Sequence, residues 1–501
     1  MSVLRTKSVE QSIRDTEEPE HQLKKSLGAL DLVVFGVGVC VGAGIFVLTG
    51  QVAATNSGPA IAVSFLIAGV VCALAAICYA ELASTVPVAG SAYTFSFATL
   101  GELVAWPIGW DLVLEFVIGA AALATSFSGY LGVVLETLGI AVPTSVASAE
   151  DGFINLPAGL LVLALTVLLV TGIKLSSRVN QVITAIKVAV VLLVIVVGLF
   201  YIDVANWTPF VPPTQGTAPG EGGFLDVPLV QSIFGLEPSV YGAAGVVAGA
   251  AIVFFAFIGF DIVATTAEET RDPQRALPIG ILGSLAIVTV LYAAVSLVVT
   301  GVRPYTEIDP VDAAPLATAF TAVGVTWMGN LVAVGACIGL IVVTMILMLG
   351  QTRVGFAMAR DGLLPRRLAK VHPTFGTPYR FTVITGVVVS LLASFVPLAE
   401  LAELVNIGTL FAFMLVAAGV IILRRTRPDL PRSFRVPFVP VVPVVAMLAC
   451  LYLMLNLSGE TWLRFGIWML LGFVVYFVYS RHHSTVGQRQ RATTSKDPTR
   501  S

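Results

Sequence analysis

Lys187 lies inside the apolar run Ile183-Thr184-Ala185-Ile186-Lys187-Val188-Ala189-Val190-Val191, clear of either flank. A lysine in the middle of a membrane-crossing run is costly and is by default a functional residue. Because burial disfavours a charged amine, such a lysine is suited to taking up and releasing a proton. The plainer alternative is a side chain snorkelling to the near interface, since Asn180 marks the start of the run about two turns away. Two further stretches combine apolar residues with helix-weakening ones. Val37-Gly38-Val39-Cys40-Val41-Gly42-Ala43-Gly44-Ile45-Phe46 sits in the first apolar run, and Phe254-Phe255-Ala256-Phe257-Ile258-Gly259-Phe260-Asp261 in the sixth. Glycine has poor helix propensity. Gly38 and Gly42 also fit a small-residue face for close helix packing. Paired interruptions in corresponding spans point instead to a binding site between discontinuous helices.

The chemistry of such a site follows from the backbone. Unwinding at Gly42-Ala43-Gly44 would start a half-helix near Ile45, whose free N–H groups and positive dipole end suit a carboxylate. Unwinding at Phe255-Ala256-Phe257-Ile258 would free carbonyls that suit an ammonium. One site with both polarities reads an α-amino acid through its backbone and leaves the side chain to the pocket walls. In the third span Asp111 and Glu115 are four apart and share a helix face. Glu115 reads as the deeper pocket acid and Asp111 as a structural partner nearer the cytoplasm. Asp261 fits a half-helix cap or a backbone-bound acid, and Asp31 and Glu81 fit gate or interface charges. The segment Ala267-Glu268-Glu269-Thr270-Arg271-Asp272-Pro273 reads as an inner-gate salt-bridge site or as a charged loop, with Pro278 near a helix start.

The elements that must position these residues are set by composition. Of 501 residues, 57% are hydrophobic and 12% charged, more apolar surface than a soluble domain can bury. Nucleic-acid binding has no support, since there is no basic domain. All five cysteines fall in apolar runs, no C-x-x-C occurs and the histidines lie in tails or loops, so neither a disulfide framework nor a metal site is expected. Metalloprotease and serine-hydrolase motifs are missing, which argues against an enzyme. Repeated polar rings that would line a channel are missing too.

Twelve apolar runs are long enough to cross a bilayer, near 29–52, 60–84, 103–134, 157–173, 180–202, 243–267, 277–301, 327–350, 381–397, 402–423, 437–456 and 462–480. Residues 1–27 are too charged for a cleavable signal peptide, so the tail is expected to stay cytoplasmic. With that orientation, 25 of the 28 Lys and Arg fall in inner loops and tails; only Arg303 and Arg464 lie outside and Lys187 within a span. A bias this strong supports the count. The expected fold is an all-α polytopic membrane protein with 12 transmembrane helices. Helices 1–5 (28–202) and helices 6–10 (243–424) form a 5+5 inverted repeat with discontinuous helices 1 and 6. Between them lies an extracellular loop (203–242). A basic inner loop and two C-terminal helices (425–481) and a cytoplasmic tail (482–501) follow.

The run Leu27-Gly28-Ala29-Leu30-Asp31-Leu32 leading into Gly42-Ala43-Gly44-Ile45-Phe46-Val47-Leu48-Thr49-Gly50 resembles the amino acid–polyamine–organocation superfamily, in its cationic amino acid transporter branch. So do Gly109-Trp110-Asp111-Leu112 with Glu115, Phe260-Asp261 with Ala267-Glu268-Glu269, and Pro273-Gln274-Arg275 with Pro278-Ile279-Gly280. The resemblance covers essentially the whole chain and is to the shorter, twelve-span prokaryotic type. It implies the inverted-repeat fold first seen in a bacterial leucine transporter, with alternating access. It further implies that a substrate carboxylate meets the backbone of Ala43, Gly44 and Ile45, with Gly42 beside them in the same site. The amino group would meet carbonyls of Cys40, Phe255, Ala256 and Ile258 beside Phe257, and Met345 would join Glu115 in lining the pocket. Lys187 matches a lysine that replaces a sodium ion in proton-coupled relatives and faces a first-helix carbonyl, here Gly38. The expectation is a permease in the cell membrane with both termini cytoplasmic. It would carry L-amino acids by proton symport, or exchange amino acids and polyamines. Beyond the proton gradient it would need no cofactor, and beyond substrate and lipid no obligatory protein partner.

Overall fold

The computed structural model describes residues 25, 27–86, 91–149, 152–172, 177–216, 225–235 and 239–488. Most of the N-terminal tail, residues 489–501 and parts of the long 203–242 connection lie outside them. Among the described residues, eight helices are long and apolar enough to cross a membrane and four shorter apolar helices accompany them. The chain is thus a helical, multi-pass membrane protein.

Helix α1 (Ala29–Cys40) stops where Val41 turns extended, and the chain resumes as a π turn at Gly44–Leu48. Gly58, at φ +57°, turns the chain into α2 (Ile61–Thr85). Then come α3 (Ser91–Thr99), α4 (Glu102–Thr137), α5 (Leu156–Val170) and α6 (Ser177–Gly198). The later elements open with α7 (Gly242–Val253), whose end is broken. They continue through α8 (Pro273–Val302), α9 (Pro315–Ala322), α10 (Thr326–Arg360), α11 (Tyr379–Phe395), α12 (Leu398–Thr426), α13 (Val441–Leu455) and α14 (Gly459–Val475).

The second break falls slightly later than the sequence reading placed it. Phe254–Phe257 keep a tight 3₁₀ turn, and the chain opens at Ile258, which is extended, and Gly259. Gly259 has φ +127°, a conformation closed to residues with a Cβ, so the glycine decides where the helix parts. Asp261–Glu269 then resumes as 3₁₀ rather than α-helix.

Glycines let the broken elements approach their supports. A Cβ on Gly36 would lie 2.6 Å from the Ser284 Cβ, and one on Gly280 would lie 2.6 Å from the Leu32 Cβ, so α1 and α8 meet nearly backbone to backbone. Helix α4 has 36 residues and so runs to about 54 Å. It packs along α10 and reaches well past the ~30 Å hydrocarbon layer.

Glu81, on α2 and 1% exposed, accepts from Arg424 Nε at 2.9 Å and Nη2 at 2.5 Å, and from the Val436 N–H at 2.6 Å. Arg432 Nε lies 3.4 Å away. One buried carboxylate thereby fastens the 427–440 connection and the end of α12 to α2, an interface role that the sequence reading had left open between gate and packing. Removing it strands a buried guanidinium, so Glu81→Ala should lower stability by about 3 kcal/mol. Adding Arg432→Met should recover part of that loss. Denaturant unfolding of the two variants in detergent checks both statements.

Candidate substrate and coupling site

The two breaks lie against each other. A Cβ on Gly44 would collide with the Cβ and Cα of Ala256 and lie 3.0 Å from its backbone nitrogen, so only glycine permits this contact. Beside it is a narrow cavity. Val39, Cys40, Gly42, Ala43 and Gly44 line it from the first break, and Phe255 and Ile258 from the second. Its remaining walls are Glu115, Gly119 and Leu123 of α4 and Val343 and Leu347 of α10.

Breaking a helix in an apolar interior orphans carbonyls, and each needs a donor. Lys187, with no exposed surface, gives its Nζ to the Gly38 carbonyl and, at 3.0 Å, to that of Val41. The Tyr292 hydroxyl of α8 lies 2.6 Å from the Cys40 carbonyl and 2.8 Å from that of Ala256, bridging the two breaks. Asn406 Nδ2 of α12 donates to the carbonyls of Ala251 and Ile252, both at 2.9 Å, near the end of α7. The Tyr130 hydroxyl donates to Phe46 at 2.5 Å. Aromatic rings hold the second break on either side of its opening: Phe65, Phe257 and Tyr292 before it, and Tyr79, Phe260 and Phe413 after it.

The sequence reading singled out Cys40, Gly42, Ala43, Gly44, Glu115, Phe255 and Ile258, and these seven line the cavity. Ile45, Ala256 and Phe257 are buried at the breaks without lining it; the Ala256 carbonyl faces Tyr292 and the Phe257 carbonyl faces Cys40 Sγ at 3.6 Å. Met345 is buried on α10 but is also not a lining residue. Val343 and Leu347, four apart, share the cavity face, and a position midway between them points elsewhere.

The acids separate by environment. Neither carboxyl oxygen of Asp111 or Glu115 has a hydrogen-bond partner among the described residues, although both side chains are buried. The Thr409 hydroxyl gives its proton to Val405 at 3.0 Å. Asp261 accepts from the Gly259 N–H at 3.2 Å, a backbone-bound acid at the break itself. Asp31 accepts from the Gly28 N–H and from Gln181 Nε2, both at 2.9 Å, tying the start of α1 to α6. At the proposed inner gate, Glu269 meets Arg353 at 3.1 Å with both side chains about a third exposed, a pair easily parted. The side chain of Glu268 lies outside those described.

Three contributors escaped the sequence reading. Tyr292 and Asn406 are polar groups inside apolar runs, and that setting, not a charge, is the mark they carry in the sequence. Gly339 is the third. A Cβ there would lie 2.8 Å from Lys187 Cγ and closer still to Cδ, so this glycine makes room for the lysine stem against α10. Nothing in the sequence tells which glycine faces a lysine.

A sequence model for a family described as amino acid permease matches residues 27–489. The branched-chain amino acid permease BcaP of Bacillus subtilis (strain 168) is 46% identical over 97% of this chain and 99% of its own length. The methylthioribose transporter of the same organism is 44% identical, covering 93% and 95%. The vacuolar cationic amino acid transporter 4 of Arabidopsis thaliana is 39% identical over 85% of this chain and 68% of its own. The chain therefore belongs to the amino acid permease family of the amino acid–polyamine–organocation superfamily, and is a transporter and not an enzyme.

Proposed function

We propose that the protein is a proton-coupled symporter of L-amino acids in the cell membrane, with both termini cytoplasmic, and that it favours substrates with neutral, apolar side chains. The observation that carries the reading is the Lys187 amine bound to the Gly38 and Val41 carbonyls. A charged amine there fastens α6 to the end of α1 much as a metal cation would. A neutral amine donates more weakly and frees the broken helix to move, which couples protonation to opening. The two breaks supply N–H groups for a carboxylate and carbonyls for an ammonium. Walls formed by Gly119, Leu123, Val343 and Leu347 suit an apolar side chain, and the similarity to a branched-chain amino acid permease points the same way. Amino acid–polyamine exchange by the same fold is the alternative; it needs no net proton movement.

In proteoliposomes an imposed pH step should drive accumulation by the wild type without sodium. Lys187→Ala should sharply reduce that accumulation while leaving substrate binding intact. Equal responses of the two proteins, or a sodium requirement, would refute proton coupling through Lys187; counterflow without proton movement would support exchange.

Gly44→Ala should weaken amino acid binding about tenfold or more by prising the breaks apart, read as loss of substrate-induced thermal stabilisation in protein that still elutes as a single species. Unchanged stabilisation would move the substrate away from the first break.

Glu115→Gln should change the ranking of basic, neutral and methylthioribose substrates in an uptake panel more than it changes total uptake. An unaltered ranking would leave selectivity to Leu123, Val343 and Leu347.

A further inference from the structure

We propose that Asp111 is a second proton-binding site, distinct from Lys187, that holds a proton while the inner side is closed and releases it when that side opens. The proposal rests on the proton-coupled reading above for its role in transport, but not for the protonation itself.

Asp111 has no exposed surface, and neither of its carboxyl oxygens has a hydrogen-bond partner among the described residues. Its Oδ1 sits in a notch of α12, where a Cβ on Gly408 would be 2.6 Å away. The carboxyl thus rests against bare backbone carbon, not against a donor. One turn along α4, Glu115 is 2% exposed and lies beside the Thr409 hydroxyl, and Asp261 accepts from the Gly259 N–H. The buried amine of Lys187 gives its protons to carbonyls of the first break.

Among the described residues, no cation on the elements packed on this part of α4 pairs with Asp111. Between Leu404 and Leu423, α12 carries no ionisable group; its ends hold Glu400, Glu403, Arg424 and Arg425. From Thr326, α10 offers only Cys337 before Arg353, which meets Glu269, and Arg360 at its end. On α3, the Tyr93 hydroxyl donates to Asp361 at 2.9 Å. Helix α5 carries no ionisable residue, and α11 has Tyr379 and Arg380 only at its start. On α14, Glu460 and Arg464 pair with each other, and the following turn presents Tyr476 to Glu102 at 3.2 Å. Glu102 and Glu136 occupy the ends of α4 itself.

An unpaired buried charge is far costlier than an unpaired hydroxyl, so the neutral acid is the form this site accepts. Release needs water. The way towards the start of α4 is closed at Gly109, where a Cβ would lie 2.8 Å from both Met358 Sδ and Tyr93 Cδ2. Parting these two side chains would hydrate Asp111, favour its charged form and send the proton inward.

The test uses the full chain in lipid, labelled with ¹³C-aspartate and followed by infrared spectroscopy at neutral pH without substrate. A label-sensitive band of a protonated carboxyl is expected in the wild type and in Lys187→Ala. It should be missing from both Asp111→Asn and Asp111→Glu, the second variant keeping an acid but not the label. No such band in the wild type, or the same band in the Asp111 variants, overturns the proposal.

In transport, each coupled proton multiplies accumulation about tenfold per unit of imposed pH difference. Asp111→Asn should lower that slope by one proton per substrate while counterflow continues. An unchanged slope overturns the coupling role. A wild type that ignores pH altogether would sink the symport reading while leaving the infrared result to stand or fall separately.

Discussion

A helix interrupted inside a membrane leaves backbone polar groups where no water can reach them. The arrangement around the two breaks answers that constraint. Lys187, Tyr292 and Asn406 come from three different helices, and each ends on carbonyls released by a break. The site is therefore cross-braced by the same bonds that make its broken helices tolerable. A change in any one donor alters both the local backbone and the relation between helices.

Close approach is the second requirement, and glycine supplies it at few but decisive places. Gly44 lets the first break lie on Ala256, Gly339 admits the lysine stem and Gly408 receives the Asp111 carboxyl. None of the three is needed for a left-handed turn; each is a surface against which something else must fit. Gly259 differs, because its positive φ sets where the second helix parts.

These two kinds of glycine explain how much of the site was legible in the sequence. Apolar runs marked the chain as a helical, multi-pass membrane protein. Gly42 and Gly44 pointed to the first break only when paired with the interrupted sixth span, because mid-span glycines also serve close packing. Lys187 announced itself by charge. The second break was read slightly early, since Phe255-Ala256-Phe257 offers no reason to keep a tight turn until its aromatic neighbours are seen. Met345 looked like a pocket residue because an apolar helix carries no marker of which face meets a cavity. Tyr292, Asn406 and Gly339 depend on what lies across from them in space, and one chain read in order cannot supply that. Glu81 was legible as an interface charge, but its partners lie at the end of α12 and in the connection after it, hundreds of residues away.

The tyrosine bridge has a consequence for the polarity of the site. Its hydroxyl has one hydrogen and stands within bonding range of two carbonyls, those of Cys40 and Ala256. One oxygen must therefore share or go short, leaving a concentration of lone pairs where the breaks converge. A primary ammonium brings three hydrogens and could make good that deficit. A carboxylate or an ether oxygen placed there would deepen it. The backbone where the two breaks converge is thus richer in acceptors than in donors.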